Sequence, residues 1–296
     1  MTDSAVLTSA VDRVALPLHR AGKVRELFDL GDAYLIIATD RISAFDHVLT
    51  PGIPGKGRVL TQLSRFWFAR TAQLQANHMI HTDAARLADV LDPAAFDGRV
   101  MVARKATPIE VECVVRGHLV GGAWRQYRDT GVVNGIDLPT GLRKNERLGA
   151  PIFTPATKAA SGHDQDVTYA EMAQTLGVAL AERLRDASLA LFAHAAAYCE
   201  ARGLILADTK FEFGTVNGEI VLIDEMCTPD SSRFWDAADV ALDVDIDSLD
   251  KEPVRRHLAA SGWDFAGEPP PLPPEVVEAT ARRYQQSYQR LTGVTS

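Results

Sequence analysis

The segment Leu204 to Glu225, LILADTKFEFGTVNGEIVLIDE, constrains the fold more than any other part of the chain. Successive side chains of a strand point to opposite faces, so Asp208, Lys210 and Glu212 share one face and Phe211 and Phe213 the other. Asn217-Gly218 is a strong hairpin turn signal, and Glu219 to Asp224 reads as the returning strand. A two-residue turn would set Asp224 opposite Phe211 and Val221 opposite Gly214, mixing polar and apolar faces. A three-residue loop or a bulge would gather Phe211, Phe213, Val221 and Ile223 on one side and Lys210, Glu212 and Asp224 on the other. The hydrophobic pattern favours the second register. Two carboxylates and an ammonium on one face are costly to bury without a ligand, and Mg with ATP phosphates is the natural one. A surface ladder of salt bridges is the alternative.

The rest of the chain supports an α+β architecture. Val24 to Asp29 and Tyr34 to Thr39 read as a hairpin broken at Gly31-Asp32, and Val59 to Asn77 reads as a helix. Arg99 to Lys105 and Ile109 to Val115 are rich in Val and Ile and read as strands. Leu119 to Thr130 suits a helix stopped by Gly131. Thr168 and Glu171 have capping-box spacing and open a long helical region ending near Arg202-Gly203. The Pro-rich run Glu268 to Pro274 is a short extended spacer before a last helix over 275–291. Strands first and mixed elements later predict two lobes: residues 1–107, β-rich and nucleotide-binding, and residues 108–296, α+β, carrying metal and substrate.

Composition excludes several classes. With 296 residues, 46% hydrophobic and 24% charged, the chain can bury a large core. Its net charge of −8 argues against a nucleic-acid partner, so any nucleotide is gripped by a few local cations. Cys113, Cys199 and Cys227 lack CxxC spacing and read as reduced thiols. The acidic start, with Asp3 and Asp12, does not resemble an export signal, and no run of about eighteen apolar residues suggests a membrane span. A cytoplasmic enzyme is expected, with its oligomeric state open. Ile53 to Arg58, IPGKGR, does not match a P-loop, because the spacing is short and Gly57 stands where Ser or Thr is needed.

Leu206 to Gly214, LADTKFEFG, and Leu222 to Trp235, LIDEMCTPDSSRFW, resemble the signature region of the SAICAR synthetase family. The resemblance extends to Gly22–Phe28, Asp40–Asp46, Ile53–Phe68, Ile109–Trp124 and Phe153–Asp164, covering about residues 20 to 240 in order. It implies a kinase-like antiparallel β lobe and a larger ATP-grasp-like α+β lobe. It also implies ATP-driven condensation of L-aspartate with the carboxylate of the imidazole ribonucleotide CAIR, giving SAICAR, ADP and phosphate in purine biosynthesis through an acyl phosphate. The resemblance gives Lys23, Arg25, Lys105, Glu110 and Glu212 to ATP, with adenine along 108–111. Glu212 and Asp224 are expected to hold Mg, and Lys210, Lys158 and Asp230 to be catalytic. Glu112, Arg116, Ser232, Arg233, His163 and Asp164 are the expected substrate contacts, with Asp230 to Arg233 in a loop after the metal-bearing strand. A small-molecule kinase of similar fold and a non-catalytic nucleotide-binding protein are the competing readings.

Overall fold

The structure, a computed structural model, describes residues 7–157, 165–265 and 267–294. Along the chain, β1 (Leu18–Ala21), β2 (Arg25–Asp29) and β3 (Ala33–Ala38) come first, with Gly31 at φ 85° turning β2 into β3. The hairpin of β4 (Ile42–Ala44) and β5 (His47–Leu49) precedes α1 (Lys56–Thr71). Then come β6 (Met79–His81), α2 (Pro93–Phe96) and β7 (Val100–Arg104). These strands, apart from β4 and β5, form an antiparallel sheet in the order β1-β2-β3-β7-β6.

The next strand, β8 (Thr107–His118), leads to α3 (Gly121–Thr130), the short pair β9 (Val132–Val133) and β10 (Ile136–Asp137), and β11 (Arg147–Phe153). After β12 (Ala156–Thr157) and β13 (Gln165–Asp166) come α4 (Tyr169–Leu176) and α5 (Val178–Glu200). Then β14 (Leu204–Val216), β15 (Glu219–Ile223) and β16 (Ser232–Asp236) precede α6 (Glu252–Ala260) and α7 (Pro274–Thr292). A second antiparallel sheet runs β13-β12-β8-β14-β15, with β11 added to β8 and β16 to β14. The class is α+β, as the sequence predicts.

Local signals account for most boundaries. Thr168 and Glu171 form both hydrogen bonds of a capping box at the start of α4, and Gly131 ends α3 at φ 77°. The long helical region is not continuous, because Gly177, at φ 84° and ψ 143°, separates α4 from α5. The largest core cluster joins Leu60, Trp67 and Phe68 of α1 to Leu191 and Phe192 of α5 and to Phe211 and Phe213 of β14. It therefore crosses residue 107. Wholly buried side chains such as Trp67 and Phe211 contribute about 1.5–3 kcal/mol each.

The β14–β15 register corrects the sequence expectation. Glu212 pairs with Ile223, Phe213 with Leu222 and Gly214 with Val221, so the turn is the two-residue one. Asn217 and Gly218 both take positive φ, 52° and 83°, the twist-matched hairpin geometry. The alternation misleads here because this sheet is covered on both sides. Ile220 and Leu222 join the core of Phe211 and Phe213, yet Val221 and Ile223 are also buried on the side of the polar row. Alternation cannot fix a register where both faces exclude water.

Burial also makes two histidines sensitive to acid. Burial, then the charges of Arg25 and Arg104, depress His78 to about 3; burial, then Arg147, depresses His118 to about 4. Both are neutral when folded, whereas an unfolded histidine takes up its proton near 6.5. Their contribution is therefore complete above pH 6.5 and is lost as pH falls toward 4, by up to about 1.4 kcal/mol per pH unit for each histidine. Urea midpoints at pH 7, 6 and 5 should fall, with a shallower fall in His118→Phe; midpoints flat across this range would contradict the assignment.

Candidate active site

The alternation of β14 places its charged row on the side of the sheet away from the Phe211–Phe213 core. Strands on either side extend that row. Glu112 of β8 lies directly across from Glu212, and Arg116 directly across from Asp208. On the other side of β14, Arg233 of β16 also faces Asp208. Lys210 donates to Glu112 and to Glu212 (3.0 Å), holding together two carboxylates that would otherwise repel. Burial disfavours the Lys210 ammonium, but Glu212 and Glu112 outweigh it and raise its pKa well above the usual amine range. This lysine stays charged.

Asp224 reaches the same cluster by an unexpected route. Continued ladder pairing would carry it to the core side, opposite Phe211. Instead β15 ends at Ile223, and Asp224 takes a left-handed φ of 62°, a conformation Asp tolerates better than most residues. Its carboxylate then meets Arg25, whose guanidinium donates to both Asp224 and Glu225. Burial pushes Asp224 up to about 6, Arg25 works against this, and Glu212 and Glu225 add to it. Glu212 and Asp224 are thus electrostatic neighbours, although not through the ladder expected from the sequence. Arg25 and Lys210 stand among Glu112, Glu212, Asp224 and Glu225, an excess of two negative charges.

That excess suits a divalent cation. Among the described residues no group of three or more His, Cys, Asp or Glu forms a ready metal cage. Mg ordinarily takes only one or two carboxylates and completes its shell with water and phosphate oxygens. The hard carboxylate oxygens of Glu212 and Asp224 fit that habit.

The other end of the row is cationic. Arg116 (3.0 Å) and Arg233 converge on the single carboxylate of Asp208, and Arg116 also donates to Thr154 (2.9 Å). A cavity of about 230 Å³ opens here, lined by Arg116, Asp208, Lys210, Asp230, Ser232 and Arg233 among others. Two guanidinium forks sharing one acid leave donors for an anion. Gly121, at φ 62°, makes room for one of them, since a Cβ there would lie 2.7 Å from Arg233 Nη2. Ser232 and Arg233 sit in β16 rather than in a loop, because both sides of β14 are open to pairing there. Ser232 shares a hydrogen bond of 2.7 Å with Thr209.

The structure gathers Arg25, Glu112, Lys210, Glu212 and Asp224 into one cluster and Arg116, Ser232 and Arg233 into the next. Other expected residues stand apart. Exposed Lys23 pairs with Asp46 at the β4–β5 turn, and Lys105 pairs with Asp29 (2.7 Å) beside the Tyr34 ring. Glu110 is exposed, in a bulge where residues 109–111 of β8 oppose Phe213 alone. The Asp230 side chain is largely buried, with its two carboxylate oxygens held by Lys56 and Tyr284. Lys158, His163 and Asp164 lie outside the described residues. The sequence reading missed Asp208 and Glu225 as site partners. Asp208 was legible from its place in the alternating row, whereas nothing local marks Glu225 as the second acid on Arg25.

The SAICAR synthetase profile matches residues 18–270. The chain belongs to the SAICAR synthetase family. The phosphoribosylaminoimidazole-succinocarboxamide synthase of Rhodopirellula baltica is 47% identical over 295 residues, covering 93% of this chain and 92% of that relative. The enzyme of the same name from Stenotrophomonas maltophilia is 46% identical over 298 residues, with 96% and 97% covered. Among solved structures, the SAICAR synthase of Saccharomyces cerevisiae complexed with SAICAR is 35% identical, with a TM-score of 0.85 and 95% and 96% coverage. The family sets aside the small-molecule kinase and the non-catalytic binder. Among the described residues no helix is long and apolar enough to cross a membrane.

Proposed function

We propose that the chain condenses CAIR with L-aspartate at the expense of ATP, with the β14 row dividing the work between its two ends. The observation that carries this reading is the reversal of charge along one strand face. Glu212 and its neighbours hold an excess of negative charge, while Arg116 and Arg233 outnumber Asp208. Asp208 and Glu212 are four residues apart, about 13 Å along a strand. That span suits a phosphorylated ribonucleotide with its phosphate at the arginines and its carboxylate toward the Glu212 end of the row.

A carboxylate resists attack by an amine because oxide is a poor leaving group. Transfer of the γ-phosphoryl group of ATP to the CAIR carboxylate converts that oxygen into phosphate. The aspartate amine then attacks the acyl carbon, phosphate departs, and the amine loses a proton. Lys210 and Arg25 offset the charge of the transferring phosphoryl group, and preorganised cations of this kind supply most of the catalysis in such transfers. Mg, when held by Glu212 and Asp224, supplies further charge neutralisation for the phosphates. Residues 1–107 contribute Arg25 and, in this reading, the nucleotide side of the site; residues 108–296 contribute the rest. By resemblance, Lys158 stays assigned to catalysis and His163 and Asp164 to substrate contact.

An ADP-release assay with each substrate omitted in turn tests the reaction. ADP should form only when ATP, CAIR and L-aspartate are all present. Equal release without aspartate, or with a hydroxylated acceptor in place of both, would defeat it.

A further inference from the structure

Asp230 stands beside the substrate cavity, yet its carboxylate is already committed. Lys56, the first residue of α1, is fully buried and donates from Nζ to Oδ2 at 2.6 Å. The hydroxyl of Tyr284, in the middle of α7 and 1% exposed, donates to Oδ1. Lys251 Nζ approaches Oδ1 at 3.8 Å. The Lys56 ammonium also lies over the Tyr284 ring, 5.7 Å from its centroid. One carboxylate thus joins the start of α1, the turn before β16 and the C-terminal helix.

The turn held in this way delivers the substrate contacts. The Ser231 backbone N–H donates to Thr228 O (3.1 Å), and its carbonyl accepts from Lys210 N (2.9 Å). Ser232 and Arg233 follow at once. Side chains that face a phosphate across a cavity must be held within a fraction of an ångström, which residues of their own strand cannot ensure at its first positions. α7 is anchored well enough to serve as the fixed point. Ser287 donates to Leu249 O (2.6 Å), and Val276, Val277 and Ala281 pack against the apolar cluster of the β4–β5 hairpin.

We infer that Tyr284 is a positioning residue for the ribonucleotide end of the site, acting with Lys56 through Asp230 on Ser232 and Arg233. Tyr284 lies beyond residues 18–270, the part that matches the family profile. In this role Asp230 is a positioning residue too, and not the catalytic one expected from the sequence. The inference rests on the proposed use of the arginine cavity for CAIR.

Tyr284→Phe removes only the hydroxyl and keeps the ring over Lys56. Loss of one hydrogen bond to a charged group should raise KM for CAIR about tenfold. KM for ATP and for L-aspartate should stay within about twofold, and kcat within about threefold, because neither the metal-bearing end nor the reacting groups are touched. Asp230→Asn should show the same selective rise in KM for CAIR, and larger. Normal constants in Tyr284→Phe would overturn the inference. A uniform rise in all three KM values together with a lowered melting midpoint would also overturn it, by showing a purely structural role. A fall in kcat for Asp230→Asn with KM for CAIR unchanged would make Asp230 catalytic and overturn it as well. Wild-type protein run beside the variants separates this from the reaction itself: an inactive wild type would defeat the CAIR reading, whereas an active wild type with unaffected variants defeats only the positioning role.

Discussion

Glu212→Gln is expected to lower kcat by about 10²–10³-fold, the usual effect of deleting one preorganised electrostatic contact to a transferring group. The substitution keeps the shape of the side chain and removes its charge. Lys210 would retain Glu112 as a partner, so the fold should survive. The excess of negative charge around Asp224 would fall from two to one, which weakens the attraction for a divalent cation. Initial rates across a Mg titration, with far-UV circular dichroism as the control for folding, read the effect directly. Activity within tenfold of wild type at ordinary Mg concentrations would remove Glu212 from the metal site. The neighbouring Asp224 should lose part of its upward shift at the same time, since burial, the main cause, persists while the smaller contribution of the Glu212 charge is removed.

Lys56→Met is expected to be strongly destabilising, by about 3–5 kcal/mol, because it leaves a buried carboxylate without its directly hydrogen-bonded cation. Lys56 is fully buried and Asp230 nearly so. Burial opposes ionisation of Asp230, yet Lys251 and Lys56, with the hydrogen bonds from Lys56 and Tyr284, hold its carboxyl far below the usual range. Lys251, at 3.8 Å, cannot replace a direct hydrogen bond. The change should appear as a lower urea midpoint with an unchanged slope. Adding Asp230→Asn to Lys56→Met should restore part of the loss, since the orphaned charge is then gone. A loss below about 1 kcal/mol, the range of exposed ion pairs, would contradict a load carried by this pair.

The IPGKGR segment illustrates how sequence and structure divided the information. Its sequence excludes a P-loop, but nothing local shows that its lysine is buried against an aspartate 174 residues away. Tyr284 likewise reads as one aromatic on an amphipathic last helix. Its hydroxyl acquires meaning only because α7 packs back across α1. Conversely, the charged row of β14 was legible at once, because strand alternation is a local property and the flanking phenylalanines announced the opposite face.

The hairpin that most constrained the fold marks the boundary between the two kinds of knowledge. The sequence by itself determined that Asp208, Lys210 and Glu212 share a face, that Asn217-Gly218 turns the chain, and, through its motifs, which family the chain resembles. It could not determine where Asp224 points. Periodicity specifies a register only when one face is wet, and this sheet is buried on both. Tertiary structure decided the matter: the two-residue turn set the ladder, and a left-handed residue at the end of β15 swung Asp224 toward Arg25, a partner from a different sheet. A charge finds its place through the long-range contacts that lower its energy, and those exist only once the chain has closed around them.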